Sequence, residues 1–297
     1  MSAAAAWSFV KDTAIEFLND SPFQLAAALS FYTLLSLSPL VLVVVSSAGL
    51  VWGEQAVRAE LVREIEQVAG PAGAETVELV LRHAEDPRRN RASIIVGIAT
   101  LLFGATTLFA QLQASLNQIW NVKAMTNRRV LWSLIRTRLV SLALVLTVGF
   151  VLLVSLVLSA ALVALHGYLS HVWPRGGSLW QGVNLLFSLT IITMLVAAIY
   201  QVLPDVRIGW RYVWRGALFT ALLFGTGKSL IASYLGHASI GSAYGAAGSL
   251  VVFLVWVYYS SLILFLGAEM TQVYARRRGA LVTPVGHAAR TELERAA

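Results

Sequence analysis

The sequence predicts an all-α membrane protein: a bundle of six transmembrane helices with an N-terminal interfacial helix and an external helical hairpin. Six apolar stretches can each supply the ~20 residues that a helix needs to cross a bilayer core of ~30 Å. The composition agrees, because 58% of the residues are hydrophobic and only 12% are charged. A soluble domain would carry about a quarter charged residues. The predicted spans are residues 25–52, 93–116, 139–165, 183–203, 213–235 and 246–272.

The segment before the first span predicts a helix that lies in the membrane interface. Residues 3–19 carry an apolar face opposite Lys11, Asp12 and Glu16. That apolar face consists of Trp7, Val10, Ala14, Phe17 and Leu18. No linker or change of composition divides the rest of the chain. We therefore expect a single integral membrane domain over residues 1–278 and a flexible cytoplasmic tail over residues 279–297.

The segment between the first two spans, residues 54–91, predicts an external hairpin of two amphipathic helices. Gly70 and Pro71 interrupt a helical apolar pattern, because this pair breaks helices. The apolar positions are Val57, Leu61, Ile65 and Val68, then Val77, Val80, Leu81 and Ala84. Such a hairpin is suited to capping a cavity, binding a periplasmic protein or packing on the bundle, and the sequence leaves these alternatives open.

Lysine and arginine residues predict the orientation of the helices. They concentrate in the short segments that are cytoplasmic when both termini lie in the cytoplasm. Arg88, Arg89 and Arg91 count against this topology, but long external loops are translocated largely regardless of their charge. The net charge of +7 therefore lies mostly at the cytoplasmic face, where it suits anionic lipid headgroups. The positive residues are dispersed at span ends, which disfavours a nucleic-acid partner.

Lys228 lies inside the fifth predicted span, where an ionisable group is costly and indicates function. The segment Gly225–Ser229 resembles the end of a phosphate-binding loop, but Leu222 occupies the position of a required glycine, and the segment is expected to be helical. We therefore reject a nucleotide site. Lys228 then has three interpretations: a side chain that reaches the outer interface, a buried structural lysine, or a ligand for an anion such as a lipid phosphate.

Glu269 is the second charge within a predicted span, near the cytoplasmic end of the sixth helix. Helical rise places Lys228 ~20 Å from that end and Glu269 ~5 Å from it, which argues against a direct pair. We expect Glu269 to form a structural clamp with Arg211 or Arg215 at the start of the fifth helix.

Further residues are predicted to shape the bundle. Ser36 and Pro39 should kink the first helix, because proline removes a backbone hydrogen bond. A close-packing face for a neighbouring helix is predicted at Gly241, Gly245 and Ser249. Asn117 belongs to a polar group at the inner end of the second helix, which serves either as interhelical glue or as the floor of a cavity. That group also contains Gln111, Gln113 and Gln118.

No pattern of a catalytic, metal or cofactor site is present in the sequence. The chain contains no cysteine, and its five histidines do not have the spacing of metal ligands. A metal-dependent nuclease would need clustered carboxylates or histidines around its ions. We therefore expect a protein that is not an enzyme.

Several motifs together resemble the YihY/BrkB family of bacterial inner-membrane proteins. They are Phe31–Leu40, Ala114–Trp120, Leu203-Pro204, Gly216, Lys228, Tyr234, Tyr244–Gly248, Trp256–Tyr258 and Leu266–Glu269. The resemblance covers roughly residues 20–275. It implies an inner-membrane protein with six helices and both termini in the cytoplasm. That family has carried a ribonuclease label, which these residues do not support, and a virulence label tied to envelope resistance.

Our functional hypothesis from the sequence is binding or translocation of an anionic lipid, or another amphiphile, in envelope maintenance. Lys228, Tyr234 and Asn117 are the candidate ligands for the headgroup. The alternative is a membrane scaffold that recruits periplasmic envelope machinery through residues 54–91, and a membrane-associated ribonuclease is a third, weaker reading. Membrane lipids are the expected partners, and homo-oligomerisation stays open.

Overall fold

Helices dominate the computed structural model, which describes residues 3–84, 107–124, 177–237, 247–280, 283–284 and 288–290. The helices are α1 (Ala3–Asn19), α2 (Pro22–Trp52), α3 (Glu54–Ala84), α4 (Gly177–Val202), α5 (Trp210–His237) and α6 (Gly248–Arg277). Residues 107–119 are also helical. The strands are β1 (Val122–Ala124), β2 (Val206–Arg207), β3 (Thr283–Pro284) and β4 (Ala288–Arg290). The prediction of a mainly helical protein is therefore confirmed.

Two of the described helices are long and apolar enough to cross a membrane. They are α4, through its segment Leu185–Val202, and α6. Only 22% of the apolar segment of α4 and 39% of that of α6 is buried. A core helix of a soluble protein would be mostly buried. Their exposure favours contact with lipid. The count of six spans stays a prediction, because residues 139–165 and most of 93–116 lie outside the described part of the chain.

The chain forms two compact units. The first unit comprises Met1–Phe17, Leu116–Leu223 and Leu266–Ala297, and the second comprises Leu18–Ser115 and Phe224–Phe265.

In the second unit, α3 packs along α2. Gly53, at a φ of 85°, ends α2 and allows the chain to turn into α3. Within α3 the backbone is not helical at Gly70, whose φ is 75°, so the predicted interruption before Pro71 is present. The buried core between these helices and α6 contains Leu37, Val41, Val45, Val77, Leu81, Phe253 and Val257. The segment predicted as an external hairpin therefore buries its apolar face within the protein.

α2 begins at Pro22, which suits the first helical turn because proline lacks the N–H that would have no partner there. The helix continues through Pro39 to Trp52 without ending. Ser36 is buried, and its hydroxyl donates a hydrogen bond to the carbonyl of Thr33 at 3.0 Å. A bend at Ser36 and Pro39 stays a prediction.

In the first unit, α5 and α6 approach each other closely at two glycines. A methyl group at Gly216 of α5 would lie 1.6 Å from Thr271 Oγ1 on α6. One at Gly267 of α6 would lie 1.8 Å from Thr220 Oγ1 on α5 and 2.6 Å from the hydroxyl of Tyr200 on α4. Only glycine leaves room for this contact, which is typical of packed helices in membranes.

The threonines at this contact satisfy their hydroxyls within their own helices. Thr220 donates to the carbonyl of Gly216 at 2.8 Å, and Thr271 donates to that of Gly267 at 2.7 Å. The Tyr200 hydroxyl lies 3.0 Å from Thr220 Oγ1, which ties α4 to the same site. The close-packing face predicted at Gly241, Gly245 and Ser249 stays a prediction, because only Ser249, which is buried, belongs to the described residues.

Asn117 joins the helical segment 107–119 to the turn that follows α4. Its side chain Oδ1 accepts a hydrogen bond from the backbone N–H of Asp205 at 2.8 Å, and its Nδ2 donates to Asp205 Oδ2 at 2.9 Å. Asn117 is only 9% exposed. Both ends of the amide thus bond within the protein, to a residue of the turn after α4. The role of Asn117 as a headgroup ligand stays a prediction.

Two short segments of the predicted tail, residues 279–297, pair as strands. β3 pairs antiparallel with β2, and β4 pairs antiparallel with β1. The exposed backbone groups of β1 and β2 obtain partners from the tail. Strands of two or three residues are too short to show an alternating pattern in the sequence, which is why the sequence analysis does not predict them. The flexibility of the tail stays a prediction.

The N-terminal helix α1 is tied to the end of α6. Arg276 pairs with Glu16 at 2.7 Å, and Arg277 pairs with Asp12 and also donates to Ser8 Oγ at 3.1 Å. Trp7 and Val10 of the predicted apolar face are exposed. This division of faces suits a helix at a membrane surface, and its location in the interface stays a prediction.

Replacing Gly216 or Gly267 by alanine should destabilise the protein by about 1–3 kcal/mol, because the added methyl group overpacks a filled helix contact. Thermal unfolding of the purified protein in one detergent measures this effect. Gly225→Ala on α5 is the matched control, since nothing lies within 4 Å of the added methyl group. Equal melting temperatures for Gly216→Ala and Gly225→Ala would contradict the close approach.

Asn117→Asp should also destabilise the protein, because it places a carboxylate against Asp205 and removes the Nδ2 donor. The double variant Asn117→Asp/Asp205→Asn should recover most of the loss. In that variant the new carboxylate accepts from both the backbone and the side-chain amide of residue 205. A double variant that melts no higher than Asn117→Asp would show that the two side chains do not act as a pair.

Candidate functional site

Lys228 and Tyr234, the candidate ligands predicted from the sequence, both lie on α5. Their side chains lie outside the described residues, so their roles stay predictions. The segment Gly225–Ser229 is part of this helix rather than a loop. A phosphate-binding loop needs backbone N–H groups that point at the ligand, and within a helix these groups are already bonded. The structure therefore supports the rejection of a nucleotide site.

Glu269 and the arginines of the predicted clamp lie at neighbouring ends of α5 and α6 in the first unit. Glu269 is fully buried. The partners seen for the arginines are tyrosines: Arg211 donates to the Tyr212 hydroxyl, and Arg215 donates to the Tyr274 hydroxyl. The ion pair of Glu269 with either arginine stays a prediction.

A cavity of about 330 Å³ opens between the start of α5 and the end of α6. It is lined by Arg211, Tyr212, Arg215, Tyr274 and Arg278, which we call the arginine pocket. α5 contributes Arg211 and Arg215 one turn apart, so both project from the same face of the helix. Arg278 follows the last residue of α6.

Tyr274 is at the centre of the arginine pocket. The guanidinium of Arg215 lies 5.3 Å from its ring centroid and that of Arg278 lies 5.6 Å from it. The ring of Tyr212 is 5.9 Å away and carries the Arg211 guanidinium at 4.7 Å. These distances are typical of cation–π contacts, which orient the guanidinium groups without neutralising their charge.

The charged side chains described in the arginine pocket are all positive. Among the described residues, its lining contains three guanidinium groups and no carboxylate. The neighbouring arginines behave differently, because Arg276 and Arg277 pair with the carboxylates of α1. Positive charge is therefore concentrated where the cavity opens, which makes an anion the expected ligand.

An exposed apolar stripe lies beside the arginine pocket on α5. It consists of Trp210, Trp214, Leu218 and Leu222, each one turn after the last. Tryptophan is enriched at the boundary between lipid and water, and leucine suits the hydrocarbon region. The order along the helix places the arginines at the headgroup level of such a boundary.

Sequence reasoning found part of this site and missed the rest. It named Arg211 and Arg215, but as partners of Glu269. Tyr212, Tyr274 and Arg278 are not singled out by the sequence analysis. The available signal was the spacing of basic residues at both helix ends, with Arg211 and Arg215 one turn apart and three consecutive arginines at residues 276–278.

The comparisons with known proteins identify the family of this chain. A family profile described as virulence factor BrkB matches residues 13–292. A UPF0761 membrane protein of Mannheimia succiniciproducens is 30% identical over 263 residues, which cover 86% of this chain and 85% of the relative. Another, of Pseudomonas paraeruginosa, is 29% identical over 267 residues, which cover 88% of this chain and 61% of the relative. This chain thus spans less than two thirds of the Pseudomonas protein.

A third UPF0761 membrane protein, of Psychromonas ingrahamii, is 34% identical over 182 residues, or 60% of this chain and 57% of the relative. No solved structure matches the chain. The family match spans nearly the whole sequence and includes both membrane-length helices, α4 and α6, and every residue of the arginine pocket. On these grounds the protein belongs to the virulence factor BrkB family of membrane proteins.

Proposed function

We propose that this protein binds an anionic lipid headgroup in the arginine pocket, as a carrier or receptor without a catalytic step. The observation that supports this is the lining of the pocket, which in the described part of the chain consists of three guanidinium groups and two tyrosines and contains no carboxylate. In this proposal the protein resides in the bacterial inner membrane with both termini in the cytoplasm. The pocket then faces the cytoplasmic leaflet, whose anionic lipids attract basic residues.

The chemistry of the lining residues suits a phosphate. A guanidinium presents its N–H donors in a planar fork that matches two phosphate oxygens, and such charge-assisted bonds are stronger than neutral ones. Tyr212 is buried and holds Arg211 in place, so that arginine is already ordered before a ligand arrives. A preordered side chain loses less conformational entropy when it binds.

The exposed stripe of α5 indicates a lipid rather than a soluble anion. A headgroup in the arginine pocket would leave its acyl chains beside Trp214, Leu218 and Leu222, which are exposed. Burying acyl chains against such a surface is favourable because both are apolar. Lys228 remains a predicted second anion ligand, deeper along the same helix, that would serve a translocation route.

The scaffold alternative depends on the outer surface of α3. Its apolar residues Val77 and Leu81 are buried, while Glu54, Glu75 and Glu78 are exposed. Photocrosslinkers at these glutamate positions would discriminate between the two functions. Specific protein adducts would support a scaffold, and lipid adducts would support the carrier.

Arg215→Gln should weaken retention of anionic lipid roughly tenfold or more, because one charge-assisted contact is worth about 1.5–3 kcal/mol. Native mass spectrometry of protein released from nanodiscs of native lipid measures the bound species. Arg82→Gln on α3 is the control, since it makes the same change of charge at a side chain that is 71% exposed. Equal loss of lipid in both variants would contradict a specific site.

Lys228→Met tests the translocation part of the proposal separately. If Lys228 is a second anion-binding site, this variant should still retain lipid in the arginine pocket. It should lose the movement of anionic lipid between leaflets, measured in proteoliposomes. Loss of retained lipid in Lys228→Met, with none in Arg215→Gln, would transfer the headgroup site from the arginine pocket to Lys228.

A further inference from the structure

We infer that the arginine pocket selects a terminal phosphate, as found in a phosphomonoester or a diphosphate, over the phosphodiester of common headgroups. This inference rests on the proposed function and narrows its ligand class. It depends on three properties of the pocket: the hydrogen-bonding character of the lining groups, their total charge and the volume that they enclose.

The described residues of the lining present almost only hydrogen-bond donors. A guanidinium has five N–H donors and no acceptor. Each tyrosine oxygen already accepts from an arginine, Tyr212 from Arg211 and Tyr274 from Arg215, so the hydroxyl hydrogen of each remains to be donated. A ligand that satisfies this lining must itself consist of acceptors.

Common phosphodiester headgroups match this requirement poorly. A phosphodiester has two terminal oxygens and one negative charge, and its ethanolamine or glycerol substituent adds further donors. An ethanolamine ammonium would stand among three guanidinium groups, where juxtaposed like charges are unfavourable. A phosphomonoester instead offers three terminal oxygens and a charge of about −1.5 to −2 at neutral pH.

The total charge of the lining also favours a terminal phosphate over a phosphodiester. With Arg276 and Arg277 paired to α1, the lining residues that the structure describes include Arg211, Arg215 and Arg278 but no carboxylate. A dianion or trianion offsets more of this positive charge than a monoanion does. The nearby guanidinium groups also favour the fully ionised form of the phosphate.

The volume of about 330 Å³ allows a group larger than one phosphate. Sites for small ligands begin at about 300 Å³, so a diphosphate or a phosphate with its first sugar or glycerol carbons is the appropriate size. A terminal phosphate could belong to a lipid or to a soluble phosphate compound, and the experiment below separates these sources.

The test compares two anionic lipids, one with a terminal phosphate and one whose phosphate is a diester. Full-length protein is placed in phosphatidylcholine nanodiscs with equal mole fractions of phosphatidic acid and phosphatidylglycerol, and native mass spectrometry measures which lipid is retained. We expect about a tenfold preference for phosphatidic acid, the step expected for one additional charge-assisted hydrogen bond. Arg278→Gln should reduce this preference, and Arg82→Gln should leave it unchanged.

A second variant tests the planar shape of the guanidinium while keeping the positive charge. Arg215→Lys keeps the charge but removes the planar fork, so it should lose the preference while retaining anionic lipid in general. Retention of both lipids at equal levels by the wild type, with loss of both in Arg215→Gln, would overturn this inference and leave the proposed function intact. Retention that does not depend on any pocket arginine would overturn both.

The soluble source is tested with inorganic pyrophosphate added to the detergent-solubilised protein. We expect it to displace retained phosphatidic acid only at concentrations far above that of the lipid, because it gains nothing from the apolar stripe. Tight pyrophosphate binding that requires Arg215, with no enrichment of phosphatidic acid, would support recognition of a terminal phosphate but would overturn the lipid function.

Discussion

The close contact between α5 and α6 is the constraint on which the first unit depends. Gly216 and Gly267 each face a threonine of the opposite helix, and neither position has space for a methyl group. This contact determines which residues of the two helices face each other one turn further along. Tyr212 and Tyr274 consequently lie 5.9 Å apart, and their hydroxyls hold two of the three pocket arginines. Helix packing, rather than charge pairing, therefore builds the pocket.

The arginine pocket concentrates positive charge that an anionic ligand would offset. Its three guanidinium groups lie over tyrosine rings, which orient them and leave their charge in place. Two further arginines at the same helix end instead pair with Asp12 and Glu16 of α1. Because those ion pairs are exposed, they add little stability but they determine where unneutralised charge remains. Unneutralised charge held by rigid elements is characteristic of binding sites.

Much of the fold was predictable from the sequence, because each correct prediction depends on residues close together in the chain. Apolar length predicted the helices that are now α2, α4, α5 and α6, and Gly70 before Pro71 predicted the interruption of α3. The close-packing glycines were harder to choose. Gly216 and Gly267 each precede a threonine by four residues, but this spacing is common in membrane helices and does not identify the partner helix. Identifying these two glycines required the burial and the interhelical contacts that the structure shows.

The sequence by itself determined that this chain is helical, suited to a membrane and basic at its helix ends, because hydrophobic length, periodicity and charge are local properties. Only the tertiary structure decided which charges are neutralised. Arg215 meets a tyrosine 59 positions away, and Arg276 meets a glutamate 260 positions away. Pairings over such distances depend on how the helices pack, and the packing depends on the shapes of side chains on both partners. That is why the same run of arginines at residues 276–278 supplies both a structural tie and part of the pocket.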